Sequence, residues 1–157
     1  MRIGIGFDLH RLRRGRPLLL GGVRIPHPSG LVGHSDGDVI LHALIDALLG
    51  AAGLGDIGEH FSDTDPAWKG ASSEHLLAGV LEKLKGWRVV NVDLTLLAEE
   101  PKIHPYREPI RKKVAGILKV SQDQVNVKAK TMEGLGMMGA KEAMAAMAVC
   151  QLERKSA

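Results

Sequence analysis

The segment Val39-Ile40-Leu41-His42-Ala43-Leu44-Ile45-Asp46-Ala47-Leu48-Leu49-Gly50-Ala51-Ala52-Gly53-Leu54 decides the fold class. Its apolar length invites a membrane reading. His42 and Asp46 place ionisable groups inside it, however, and Gly50 and Gly53 interrupt it, which argues against a span. Asp38 stands where an N-cap belongs, and Gly53, Gly55 and Gly58 follow the last apolar residues. The segment therefore reads as a helix running from Asp38 to about Ala52. Upstream, Ile3, Ile5 and Phe7 alternate with Gly4, Gly6 and Asp8, the period of an opening strand.

Working outward, Leu18–Leu20 and Val23–Ile25 flank Gly21-Gly22 as a hairpin or a bent strand. His27 to Gly37 holds Pro28, Gly30, Gly33 and Gly37 and reads as loop. Gly55 to Gly70 is a long loop with three aspartates, and Ser73 is placed to cap a second helix ending near Gly86. Val90, Val92, Leu94 and Leu96 alternate with polar residues as a half-buried strand, stopped by Pro101. Pro105 or Pro109 opens a third helix to about Leu118. Val125, Val127 and Ala129 mark another strand, Thr131 to Gly139 a Gly-rich turn, and Ala140 to about Arg154 a last helix with Met144, Met147 and Leu152 on its core side. The expected class is α/β, in two α+β layers: a small mixed β-sheet with helices on one face, formed by one domain over 1–157. So few helices cannot cover both sheet faces, which leaves one face for another subunit to bury.

Composition narrows the function. Apolar residues are 45% and charged residues 25% of 157, a globular balance, and the first ten residues do not resemble a signal peptide. A lone cysteine, Cys150, excludes an internal disulfide and fits a cytoplasmic setting, with packing as its role. The net charge of +3 suits a polyanionic small ligand. Aromatics at 3% offer little to stack nucleic-acid bases on, so no nucleic acid and no membrane is expected as partner. Arg11, Arg13, Arg14 and Arg16 read as a solvated loop, with a phosphate-steering patch as the other reading.

Chemistry concentrates in three places. Asp8 and His10, two apart on a strand, point to one face, and His42 lies on a helix stripe with Asp38 and Asp46 at spacings of four. Carboxylate with two imidazoles suits a Zn²⁺-like ion and leaves a fourth position open for water or phosphate. Each residue also has a plain reading: a solvated Asp-x-His pair, a core histidine, and Asp38 as N-cap. Asp46 either orients His42 from behind or lies on the surface. His34-Ser35-Asp36-Gly37 ends a loop at a helix N-terminus, where an anion is favoured. Lys130-Thr131-Met132-Glu133-Gly134-Leu135-Gly136 follows a strand. It is either a phosphate-holding turn with Glu133 on a hard cation such as Mg²⁺ or a turn closed by a capping carboxylate.

Taken together, Gly-Phe-Asp-Leu-His at 6–10, Gly-His-Ser-Asp-Gly-Asp-Val at 33–39, Leu-His-Ala-Leu-Ile-Asp-Ala-Leu-Leu-Gly at 41–50, Gly-Asp-Ile-Gly at 55–58, Phe-Ser-Asp-Thr-Asp-Pro at 61–66 and Asn-Val-Lys-Ala-Lys-Thr-Met-Glu-Gly-Leu-Gly at 126–136 resemble the 2-C-methyl-D-erythritol 2,4-cyclodiphosphate synthase family in order and position. The resemblance spans Met1 to about Val149. It implies a homotrimer with sites between subunits, a divalent metal (usually zinc) on Asp8, His10 and His42, and Mg²⁺ or Mn²⁺ on Glu133. It implies catalytic support from His34 and Thr131. Substrate contacts would come from Asp8, His10, His34 and Ser35, from Asp56, Ile57 and Gly58, and from Phe61, Ser62, Asp63, Thr64 and Asp65. A cytidine pocket would be lined by Ala98, Glu99, Glu100, Pro101, Lys102, Ile103 and His104, and a wall would be formed by Lys130, Thr131, Met132, Glu133 and Met137. Two departures stand out. Lys130 and Met132 flank Thr131 where the family often has threonines, and Ala140 stands where an arginine often lines an inner trimer cavity that holds isoprenoid diphosphates in some relatives.

The implied reaction is intramolecular phosphoryl transfer in non-mevalonate isoprenoid biosynthesis: a cytidine diphosphate substrate closes to a cyclic diphosphate and releases CMP, by positioning and charge neutralisation. Two rivals use the same residues differently. A metal-dependent phosphodiesterase would give a linear product, and a non-catalytic nucleotide- or isoprenoid-diphosphate-binding module would give no turnover.

Overall fold

The computed structural model describes residues 1–155. Its centre is α1 (Val39–Ala52), apolar on nearly every side, with eleven of fourteen residues buried. A helix apolar all round must be enclosed, and here it lies on a five-stranded sheet. The sheet strands are β1 (Arg2–Arg14), β4 (Ser29–Leu31), β5 (Trp87–Leu97), β6 (Val125–Lys130) and β7 (Ala143–Arg154), in the order β4-β1-β7-β5-β6. β5 and β6 run parallel and the other neighbours antiparallel, so the sheet is mixed as expected. β2 (Leu18–Leu20) and β3 (Val23–Ile25) form a hairpin, the first of the two readings of that segment, and not a bent strand. α3 (Ser73–Lys83) packs on α1, and α4 (Arg107–Leu118) packs on β6.

Close helix–sheet approach explains Gly4 and Gly6. A Cβ on Gly4 would stand 1.9 Å from the Ala47 carbonyl oxygen, and one on Gly6 1.9 Å from that of Ala43. β1 thus offers glycines to the backbone of α1. The facing positions of β7, Ala146 and Ala148, are alanines with 1% and 0% exposure. The opposite sheet face is bare. It carries Ile3, Ile5, Phe7 and Leu9 from β1 and Met147 and Val149 from β7, all exposed. This is the single-sided coverage expected from the element count.

Several expectations are corrected. The segment Ala140–Arg154 is not a helix: Ala143–Arg154 is β7, hydrogen-bonded along its length between β1 and β5. Alanine's helix propensity favours the other reading, but the two-strand slot and the close approach of α1 demand small residues in a strand. Met144 and Leu152 are core as expected, whereas Met147 lies on the bare face. Buried Cys150 belongs to that strand, and burial pushes its thiol up to about 11. The arginine run is not a loop either, because Arg11, Arg13 and Arg14 extend β1 as exposed residues against β4. β4 also interrupts the loop expected over 27–37. The loop from Gly55 to Gly70 contains α2 (Ile57–His60) and a 3-10 turn at Pro66–Trp68, and the turn after β6 contains α5 (Gly136–Gly139). Ser72, not Ser73, caps α3.

Candidate functional site

Asp8 and His10 stand on the face of β1 that meets α1, and His42 projects from the first turns of α1 to meet them. The N-terminus of α1 is pinned from outside. Asp38 caps it through the Leu41 N–H at 3.1 Å and accepts the Gly21 and Gly22 N–H groups at 2.9 and 2.7 Å, which ties the β2–β3 turn to the helix start. The sequence reading of Asp38 as N-cap therefore holds, and burial raises its carboxyl pKa against the pull of those three N–H groups. With strand and helix fixed this way, Asp8 Oδ2 lies 2.8 Å from His10 Nε2 and 3.0 Å from His42 Nδ1, and the two ring nitrogens are 3.0 Å apart. Three donor atoms so close together form a triad able to hold a metal ion.

The charges in this triad bind one another. Burial opposes ionisation of Asp8, yet hydrogen bonds and positive charge from His10 and His42 hold its carboxyl well below the usual range. Burial also opposes a charged His42, and the Asp8 hydrogen bond and charge outweigh it, raising the His42 pKa above 6.5. The side chains of Asp8 and His10 keep 25% and 18% exposure, so the triad opens to solvent on one side, as a catalytic rather than a closed structural site requires.

The segment carrying His34 and Ser35 lies over this triad. Ser35 Oγ is 2.9 Å from His42 Nε2, and His34 Nδ1 is buried without a partner. The Gly70 N–H donates to the His34 carbonyl and the Asp36 N–H to the Ala71 carbonyl, which fastens the end of the aspartate-rich loop to the same place. In that loop Asp56 caps α2, Ser62 bonds Thr64, Asp65 caps the 3-10 turn, and Phe61 packs edge-on against Trp68 at 5.0 Å. Ile57 and Gly58 begin α2, and Asp63 is exposed. The structure gives Asp46 a different partner from the one expected: it accepts the Ile57 N–H at 2.8 Å and so positions α2, while both ring nitrogens of His42 are engaged elsewhere.

The remaining sequence-predicted residues gather at the far edge of the sheet. The Ala98 N–H donates to the Lys130 carbonyl, so the segment Ala98–His104 lies beside the turn after β6. Glu99 accepts the Met132 N–H at 2.6 Å and the Gly134 N–H at 3.4 Å, holding that turn in shape. Thr131 Oγ1 donates to Glu133 at 2.7 Å. Glu100 precedes a cis bond to Pro101 and pairs with Lys141 at 2.8 Å. Lys102, His104 and Met137 are exposed, and Ile103 is buried. Strand register measures the gap between the two groups. Asp8 is level with Ala146, Ala146 with Leu96, and Leu96 with Ala129, three strand spacings in all, or about 14 Å. One chain therefore brings the triad and the Ser35 loop together, and separately the 98–104 segment and the Thr131 turn, but not the two groups to one point.

The sequence reading missed Ser73 and Asp36, which stand behind His42. A serine at a helix start reads as a cap, and a buried serine beside a histidine from another element leaves no periodic mark.

A family model described as the YgbB family matches residues 1–153. The chain belongs to the YgbB family. This YgbB chain is 55% identical over 152 residues to the 2-C-methyl-D-erythritol 2,4-cyclodiphosphate synthase of Treponema denticola, covering 96% of this chain and 94% of that one. A solved 2C-methyl-D-erythritol-2,4-cyclodiphosphate synthase in a CDP-bound form superposes with TM-score 0.88 at 44% identity, covering 97% of this chain and all (100%) of that one. The bifunctional IspDF of Campylobacter jejuni superposes with TM-score 0.95 at 43% identity. It covers 99% of this chain, which spans only 42% of that longer protein. No helix among the described residues is long and apolar enough to cross a membrane.

Proposed function

We propose that this YgbB chain, a single domain over 1–157, converts 4-diphosphocytidyl-2-C-methyl-D-erythritol 2-phosphate to 2-C-methyl-D-erythritol 2,4-cyclodiphosphate and CMP, a step of isoprenoid biosynthesis. The observation that carries the proposal is the triad: Asp8, His10 and His42 converge from a strand and a helix to within 3.0 Å, in a chain 55% identical to a synthase of that name. Two imidazoles and a carboxylate fit zinc, and Glu133 beside Thr131 fits a hard cation such as Mg²⁺ or Mn²⁺. When bound, such ions neutralise phosphate charge and polarise the phosphorus under attack.

The chain's own residues supply position. The Ser35 hydroxyl stands at the triad, 2.9 Å from His42 Nε2, and can donate to diphosphate oxygens, and His34, its chain neighbour with an unpartnered ring nitrogen, supports the same phosphate. Asp46 and Asp56 shape α2, which borders the space for the erythritol portion. Glu99 fixes the Thr131–Glu133 turn, and the backbone of 98–104 offers a pocket for cytidine, the moiety present in a related CDP complex. The substrate's 2-phosphate oxygen attacks the β-phosphorus, and the α-phosphate leaves as CMP. No protein nucleophile is required, because the reaction is one of holding a flexible polyanion in line.

A homotrimer completes the site. Two features support it: the bare apolar row of Ile3, Ile5, Phe7, Leu9, Met147 and Val149, and the separation of about 14 Å between triad and Thr131 turn along three strand spacings. In an assembly the two groups that bracket the reacting phosphates come from neighbouring subunits. The test is mass spectrometry of products from purified protein with Zn²⁺ and Mg²⁺. A cyclic diphosphate plus CMP, abolished by chelation, is the expected result. A linear 2,4-bisphosphate would make the protein a phosphodiesterase on the same centre, and binding without turnover would leave a nucleotide-binding module.

A further inference from the structure

Behind His42 lies a hydrogen-bonded run that the metal triad alone does not explain. His42 Nδ1 faces Asp8 and His10, so Nδ1 is the nitrogen that offers its lone pair to a metal, and the ring proton belongs on Nε2. That N–H needs an acceptor. Ser73 Oγ is 2.9 Å from Nε2 and cannot give its proton back, because it donates to Asp36 Oδ1. Asp36 is itself held, accepting the Ser73 N–H at 2.8 Å and the Asp38 N–H at 3.0 Å. Ser73 is fully buried (0%), so bulk water does not compete for its hydroxyl.

We propose that Asp36 and Ser73 are positioning residues for the metal centre. The Asp36 carboxylate orients the Ser73 hydroxyl, the hydroxyl accepts the His42 Nε2 proton, and His42 is thereby fixed in the tautomer and ring orientation that present Nδ1 to the ion. Histidine ligands commonly give their far N–H to a carboxylate or carbonyl; here one buried hydroxyl is interposed. A consequence separates the two serines near His42. Nε2 carries the proton, so it cannot accept from Ser35, and the Ser35 hydroxyl proton is left to point at an anionic ligand. Ser73 serves the metal ligand and Ser35 the substrate, although both lie 2.9 Å from the same nitrogen.

The inference rests on the reading of Asp8, His10 and His42 as metal ligands, and the test distinguishes the two. Zn²⁺ dissociation constants are measured by competition with a chromophoric chelator for the unaltered protein, S73A and D36N, alongside the melting temperature of each metal-free protein. In the Zn²⁺-loaded unaltered protein, ring ¹H–¹⁵N NMR should show a slowly exchanging proton on His42 Nε2. S73A should weaken Zn²⁺ binding by about 10- to 100-fold, the range for lost partners of this kind. D36N, which keeps the shape of the carboxylate but turns an NH2 toward one of the N–H groups it accepted, should weaken it in the same direction when measured well below the metal-free melting temperature. Should S73A fail to fold, D36N decides alone. Zn²⁺ affinity unchanged in D36N, or unchanged in a folded S73A, would overturn the relay while leaving the metal centre intact. An unaltered protein that binds no Zn²⁺ would overturn the metal centre and the relay together.

Discussion

Adding a single methyl group at Gly6 should disable the metal centre without touching any of its ligands. The Cβ of G6A would sit 1.9 Å from the Ala43 carbonyl oxygen and 2.8 Å from the Ala47 nitrogen, both backbone atoms of α1. Backbone inside an intact helix cannot rotate away as a side-chain tip can, so helix and strand must separate. Going from 1.9 Å to the 3.4 Å of an ordinary contact takes about 1.5 Å. Gly6 is two residues from Asp8, and Ala43 is next to His42, so much of that separation falls on the Asp8–His42 contact of 3.0 Å. Ligand distances tolerate only about 0.2 Å, and a separation of that size would break the triad. Overpacking of this kind costs about 1–3 kcal/mol, and at roughly 2–4 °C per kcal/mol for a chain this long the melting temperature should fall by roughly 2–12 °C. Thermal unfolding and Zn²⁺ competition on G6A measure both effects. A variant that melts and binds Zn²⁺ like the unaltered protein would refute the claim that α1 and β1 are in rigid contact at this point.

Three further outcomes follow from the geometry. D38A strands the Gly21 and Gly22 N–H groups and removes the cap of α1, and should cost roughly 2–4 kcal/mol in urea unfolding; a loss below about 0.5 kcal/mol would contradict the pinning role. For metal-free protein, the raised His42 pKa contributes stability that is present below 6.5 and lost as pH rises through the folded value. The lowered Asp8 pKa contributes stability that is present above 3.8 and lost as pH falls. Zn²⁺ needs His42 without its Nδ1 proton, so the gain in melting temperature on adding Zn²⁺ should be larger at pH 8 than at pH 6, and a gain equal at both would be contrary to the assignment. E133Q removes a charge beside Thr131 and should raise the Mg²⁺ concentration needed for half-maximal turnover, whereas an identical Mg²⁺ titration would exclude Glu133 from cation binding.

Much of this was legible in the chain because local rules and tertiary demands agreed. Asp38 and Gly53 bound α1 in the structure as their types suggest, with Gly53 in a left-handed conformation at φ 73°. The period of two on β1 placed Asp8 and His10 on one face, and the helix stripe of α1 carried His42. The failure at β7 has a physical cause. A strand announces itself by alternation, but Ala143, Ala145, Ala146 and Ala148 are apolar and small on either face, so the period of two is hidden until Met147 and Val149 are seen to point outward. Ala146 and Ala148 are there because α1 lies close, a fact about another element. The Ser73–Asp36 run escaped for the same reason: its meaning depends on a His42 nitrogen that belongs to another element, α1. The register distance between triad and Thr131 turn could not be read before strand order was known, since β6 and β1 are separated by β7 and β5.

The central claim is that a phosphate of the substrate itself, and not water, attacks the β-phosphorus. Turnover in water enriched in ¹⁸O, followed by mass spectrometry of both products, tests it most directly. The account predicts a cyclic diphosphate and CMP that both carry only ¹⁶O at the transferred positions. One atom of ¹⁸O in CMP or in a linear 2,4-bisphosphate would show hydrolysis and contradict it.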